Sequence, residues 1–298
     1  MRIGPSKLLV FLFPLLSGCL RHTRLLQQPE TNSPIVNPSV LQLVETVNQR
    51  YDRISSLTVT VDVAVTVGGI HIGEETNYSP CSGYLLLRKP NMLRVLILVP
   101  LLHTRAMDMV SDGTSFTLLM PSKNRAIEGT NTVTRSADNP LENLRPNIFV
   151  DTIMIHDIAP DQIVSMIQET TSRRNGETKP IAELPEYDLM VFGEAPPRQP
   201  HAPARVAKPQ RVIHFNQRDL LPVGQDIYGA NGELETQVIY GPDQNFGGVD
   251  FPSMIDINRP TDKYRIQLTV RKLTVNQSLA DDSFALKIPV GMQVQKLQ

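Results

Sequence analysis

Val59, Val61, Val63, Val65 and Val67 alternate with Thr58, Thr60, Asp62, Ala64 and Thr66, and no other pattern in the chain restricts its fold as strongly. A period of two turns five β-branched side chains to one face of a strand, and that face has to be covered. Gly68-Gly69 closes the strand. Further along, residues 83–88, 91–98, 104–110, 115–120 and 125–128 read as strands separated by Lys89-Pro90-Asn91, Ser111-Asp112-Gly113 and Pro121-Ser122-Lys123-Asn124. Turns this short join antiparallel neighbours, because a parallel crossover needs a dozen or more residues. The pattern resumes at 187–192, 211–215, 224–228, 234–240, 254–258 and 264–275, with Asn175-Gly176 and Asn231-Gly232 as hairpin turns. Strands repeated in this way imply one continuous antiparallel sheet.

Helices are few. Asn37-Pro38 supplies an N-cap and a proline at the first helical position, and Leu41, Val44, Val47, Tyr51 and Ile54 follow at helical spacing. Residues 140–155 form a second helix candidate, with Leu141, Leu144, Ile148 and Phe149 on one side, and 161–168 a weaker third. The segment 195–209 holds five prolines and no period, so it reads as a surface loop.

The chemistry of the chain points to binding rather than catalysis. Its formal net charge of −1 gives no nucleic-acid footprint. The six histidines, His22, His71, His103, His156, His201 and His214, are scattered with no HExxH among them. Gly68-Gly69 with Gly73 lacks the spacing of a phosphate loop, and Asp281-Asp282 and Arg173-Arg174 read as solvated turns. No catalytic residue, metal ligand set or cofactor follows from these residues. Trp is absent and aromatics make up 5%, which argues against recognition of sugars or bases by stacking.

The first residues carry an address. Arg2 and Lys7 precede an apolar run at 8–16, then Ser17, Gly18 and Cys19, the order of a signal peptide. Pro14 interrupts the run, which is too short to span a hydrocarbon core of about 30 Å. Leu16-Ser17-Gly18-Cys19 resembles the bacterial lipobox. The resemblance implies a signal peptide at 1–18, cleavage before Cys19, acylation of that cysteine, a lipidated flexible tether at 19–37 and a folded domain at 38–298. Two or more acyl chains anchor a protein stably. Leu20 stands where lipoproteins retained in the inner membrane often carry Asp, so the expected location is the outer membrane, facing the periplasm. An acylated Cys19 leaves Cys81 without a disulfide partner.

In order, the opening helix, the valine strand, the blocks SGYLLLRKPNMLRV and MVSDGTSFTLLMPSKNRA, the middle helices and the tail DDSFALKIPVGMQVQKL resemble the lipoprotein carriers and receptors of the Lol system, the LolA/LolB-like domains. Similarity is strongest across 41–128, where Gly83, Arg88, Pro90, Asn91 and Arg94 match a strand, basic-Pro turn and strand, and Asp112-Gly113 the next hairpin. The resemblance implies an α+β fold: a curved antiparallel sheet forming an incomplete β-barrel, its concave face covered by a few helices. It also implies an apolar cavity for acyl chains, with client lipoproteins or lipids as partners. Val59, Val61, Val63, Val65, Leu85, Leu87, Val95 and Ile97 would form its wall. A sheet face filled by its own helices is the plain alternative for the same residues. The function would then be that of a structural or assembly lipoprotein, holding envelope proteins, with the Pro-rich loop as the contact. The apolar run 96–102 reads as a buried strand edge, or else as a protruding membrane-insertion loop.

Overall fold

The computed structural model describes residues 35–69, 73–131, 144–171, 184–193 and 207–297. The signal peptide, Cys19, nearly all of the tether, Asn175-Gly176 and most of the Pro-rich segment lie outside them.

The chain opens with helix α1 (Val40–Asp52), then strands β1 (Ser56–Gly69), β2 (Glu74–Arg88), β3 (Met92–Leu98), β4 (Arg105–Ser111), β5 (Ser115–Met120) and β6 (Arg125–Thr130). Helix α2 (Pro146–Ile153) separates these from β7 (Ile163–Thr171), β8 (Leu184–Phe192), β9 (Pro209–Asn216), β10 (Pro222–Tyr228) and β11 (Leu234–Tyr240). A small hairpin, β12 (Asp243–Asn245) and β13 (Asp250–Pro252), precedes β14 (Met254–Arg259), β15 (Tyr264–Val275) and β16 (Gln293–Lys296).

Among the described residues fourteen strands form one sheet in the order β16-β6-β5-β4-β3-β2-β1-β15-β14-β11-β10-β9-β8-β7, open at both ends, with α1 and α2 against it: an incomplete barrel. Among the described residues every ladder is antiparallel except the pairing of β16 with β6. The valine strand sits near the middle, running from Leu57↔Val275 to Val67↔Tyr264 against β15. Its register shifts at Thr60/Val61 on one side and at Val63/Val65 on the other. Such bulges bend a strand and increase its twist, which is how a long sheet curls.

Several expectations are corrected. The N-cap of α1 is Ser39, not Asn37: the Gln42 N–H donates to Ser39 Oγ at 3.2 Å, and the Ser39 N–H to Gln42 Oε1 at 2.7 Å. Asn37 instead accepts from the Tyr187 hydroxyl at 3.0 Å. The middle helix begins only at Pro146; Leu144 is buried ahead of it, and Leu141 lies outside the described residues. Residues 161–168 are not helical but enter edge strand β7, whose Val164 and Met166 face the core while Ile163 and Ile167 face out. Strand β2 begins nine residues before the expected 83–88, and Pro80 falls with Ser79 in the bulge opposite Ala64, between the pairs Val63↔Cys81 and Val65↔Tyr78.

The core has two parts. The larger gathers β1–β6, β14, β15 and α2; the smaller packs Leu43 and Val47 of α1 on Tyr187, Leu189, Val191, Ile213 and Phe215 of β8 and β9. Ile155 packs against both. On the other face of the sheet Asp108, fully buried, accepts from Arg94 at 3.0 and 2.9 Å and pairs with Arg105 at 3.2 Å. Arg94 also donates to the Ser283 carbonyl at 3.0 Å, and Arg88 to the Leu279 carbonyl at 2.5 Å and to Asp281 at 2.6 Å. Arg88 and Arg94 thus fasten the C-terminal segment across β2–β4, and Asp281, exposed to solvent as expected, also pairs with Arg88.

Candidate functional site

Register brings the eight expected wall residues together. Val59 faces Leu85, which faces Val95, in one row; Val61, Gly83 and Ile97 form the next. Val59, Val61, Val63, Leu85, Leu87 and Val95 are buried, while Val65 and Ile97 pack at the margin of the same core. Ile153 of α2 and Phe251 of β13 lie against this face, and together with Val59, Val61, Leu85, Ile255, Leu268 and Val270 they enclose only about 10 Å³. That is room for one water at most.

The open space lies on the far side of those two residues. A cavity of about 560 Å³ is lined by Val47, Tyr51 and Ile54 of α1, Ile153, Met154 and Ile155 at the end of α2, Tyr240, Val249, Phe251 and Val275. Ile153 and Phe251 border both spaces, so they form a partition between the cavity and the valine face. Arg50 of α1 and Asp243 of β12 both line it and approach to 3.5 Å. Asp243 Oδ2 is buried and has no hydrogen-bond partner among the described residues, and burial pushes its carboxyl above the usual carboxylate range although Arg50 pulls the other way.

The end of α2 is held from the sheet. The Tyr240 hydroxyl donates to the Thr152 carbonyl at 2.9 Å, and the Gln225 amide donates to the Asp151 carbonyl at 2.6 Å and to the Tyr240 hydroxyl at 2.9 Å. These bonds satisfy carbonyls that a helix end leaves open. Burial raises the Tyr240 phenol far above its ordinary value, so it stays a neutral donor. Beside the cavity, Lys89 Nζ sits 3.2 Å from the centre of the Tyr51 ring and donates to the Tyr51 carbonyl at 2.5 Å; burial lowers its ammonium.

Leu96 to Leu98 belong to β3, but the loop after it turns outward, with Leu101 94% and Leu102 73% exposed. The reading of the whole apolar run as a buried strand edge therefore fails at its tip. The loop is pinned by the Val99 N–H on the Thr104 carbonyl at 2.8 Å and the His103 N–H on the Val99 carbonyl at 3.0 Å, with Leu101 and His103 at positive φ. Cys81 is half-buried, and burial raises its thiol, so it is a poor nucleophile.

Two histidines that look scattered in sequence meet carboxylates. His156 Nε2 lies 3.0 Å from Asp151. His214 Nδ1 lies 2.8 Å from Asp188 and 4.0 Å from Glu186, and its Nε2 3.5 Å from Asp226. Glu186, Asp188 and His214 offer ligand-type atoms within 4.8 Å of one another. The grouping spans β8 and β9, so it appears only once the register Asp188↔His214 is known.

No known family matches the sequence, and no curated protein does. Solved structures do. A LolA superfamily protein from Nitrosomonas europaea aligns with a TM-score of 0.50 at 15% identity, over 84% of this chain and 99% of that one. A DUF1329 family protein from Desulfovibrio piger aligns with a TM-score of 0.50 at 11% identity, over 83% and 95%. The fold is LolA/LolB-like.

Proposed function

We propose that this chain is a lipid-anchored protein of the cell envelope that takes acyl chains of a lipid or lipoprotein into the cavity under α1 and hands them on without covalent chemistry. The observation that carries this reading is the space of about 560 Å³, lined mainly by apolar side chains with Arg50, Arg53, Asp243 and Asp250 among them, which Ile153 and Phe251 divide from the valine face. Its size falls in the range of sites that bury most of a small ligand. Displacing those two side chains would join the cavity to Val59, Val61 and Leu85, and each methylene then buried is worth about 0.8 kcal/mol. Acylated Cys19 would hold the domain at the outer membrane, and the exposed Leu101-Leu102 tip supplies a second apolar contact with a bilayer.

The filled valine face favours a second reading, a scaffold lipoprotein whose exposed Leu101-Leu102 tip docks envelope proteins. Native mass spectrometry of the chain purified from membranes separates the two. A stoichiometric lipid adduct beyond the mass added at Cys19, lost on extraction and restored by palmitate, supports the carrier. A clean mass that palmitate or a lipidated peptide fails to shift supports the scaffold.

A further inference from the structure

A second cavity, of about 900 Å³, lies across the segment 151–157 from the first. Gln225 lines it and Tyr240 lines the first, so the bonds that hold the end of α2 also keep the two spaces apart. Its character differs. Ile163, Phe192 and Ile227 give it apolar walls, and Arg211 enters it from β9 between them, paired in register with Ile227 and Val191.

Among the described residues Arg211 has no ion pair, although the nearby carboxylates of Asp157 and Asp151 favour its charged form. Its Nη2 donates to the Asp157 carbonyl at 2.6 Å, and among the described residues no carboxylate oxygen comes within 4.0 Å of the guanidinium. Burial disfavours its charged form, yet a guanidinium does not give up its proton in a protein. Of the two carboxylates in the cavity wall, Asp151 lies 3.0 Å from His156, and Asp157 meets Arg211 through its backbone carbonyl rather than its side chain. A planar fork with unused donors and apolar side chains beside it fits an oxyanion carried on a hydrocarbon chain. Asp151 and Asp157 also line the space, which disfavours a highly charged anion.

We infer that this cavity is a site for an oxyanion-headed amphiphile, the carboxylate or phosphate head on Arg211 and the chain along Ile163, Phe192 and Ile227. The site is separate from the cavity under α1 and does not depend on the carrier reading.

The test is photo-crosslinking of the full chain in membranes with a diazirine-bearing fatty acid, the labelled peptides being located by mass spectrometry. Label is expected on the peptides holding Ile163, Phe192 and Ile227, reduced at least tenfold by R211Q and largely kept by R211K. Any label near Val47 and Phe251 should be unchanged in both variants. Octanoate outcompeting octyl phosphate would identify a carboxylate head, and the reverse a phosphate head. Competition by inorganic phosphate as strong as that by octyl phosphate would overturn the amphiphile. Label that survives R211Q intact, or that an uncharged diazirine alcohol gives equally well in the wild type, would overturn the role of Arg211. The acid-against-alcohol comparison needs no variant, so it decides the matter even if R211Q fails to fold.

Discussion

Phe251→Ala is the sharpest probe of the partition. Phe251 is buried, with one side against the small void behind Val59 and Val61 and the other against the cavity under α1. Burying a side chain of this size contributes about 1.5–3 kcal/mol. Phe→Ala in a closed core costs about 3–5 kcal/mol, the excess coming from the new hole. Here the ring already borders an open space, so its loss enlarges a cavity rather than creating one, and the cost should fall near about 3 kcal/mol. The chain has no Trp, so urea unfolding would be followed by far-UV circular dichroism. The vacated space should accept at least two more acyl methylenes, roughly 1.6 kcal/mol or about 15-fold in affinity. A fatty-acid ligand at about 100 times its Kd returns about 2.7 kcal/mol, so most of the lost stability should reappear when it is added. A variant that is destabilised as stated but binds the fatty acid no more tightly than the wild type would refute the reasoning and make Phe251 ordinary core.

Asp108→Asn should cost about 3 kcal/mol in the same unfolding assay, near the low end for breaking a buried ion pair, because Arg94 and Arg105 retain some solvent contact. Asp112 accepts from the Ser115 and Thr114 N–H groups at 2.7 and 2.8 Å, which hold its carboxyl below the usual range. The folded state therefore favours the ionised form, so the contribution is complete above about pH 4 and lost as pH falls through the lowered value. Asp112→Ala should cost about 1 kcal/mol at pH 7, and its unfolding midpoint should converge on the wild type's as pH drops below about 4. Leu101→Ser with Leu102→Ser should leave stability within about 0.5 kcal/mol, since both side chains are exposed. The same pair should weaken flotation of the chain with anionic liposomes when Cys19 is replaced by Ser, and unchanged flotation would remove the tip from the membrane contact.

What was legible in the sequence was whatever repeats locally. The valine alternation, the turn tripeptides and Asn231-Gly232 fix strands β1, β3–β6, β11 and β15 closely, because periodicity and turn chemistry act over a few residues. The edge strand β7 was misread because Ile163, Val164, Met166 and Ile167 also fit a helical spacing, and only pairing with β8 decides between the two. Half of β2 was not anticipated, since residues 74–82, with Pro80 in a bulge, join the strand only through their pairing with β1. The wall residues were gathered correctly onto one face, but their coverage by Ile153 and Phe251 depends on where a short helix and a three-residue strand come to rest. Nothing in the sequence marked Arg211 or His214, whose partners arrive from elements far along the chain.

The junction of β1 with β15 also governs when the molecule can form. Leu57 is laddered to Val275, so the middle of the sheet is closed by residues from opposite ends of the chain. Local hairpins can appear early, but the two halves have no shared ladder until the last long strand is available. High contact order of this kind slows folding, because loop closure is spent before the contacts that reward it are made. A fragment truncated ahead of Tyr264 would expose one full edge of β1 with its row of valines, an edge primed for aggregation. The central ladder can therefore be completed only after most of the chain has been made.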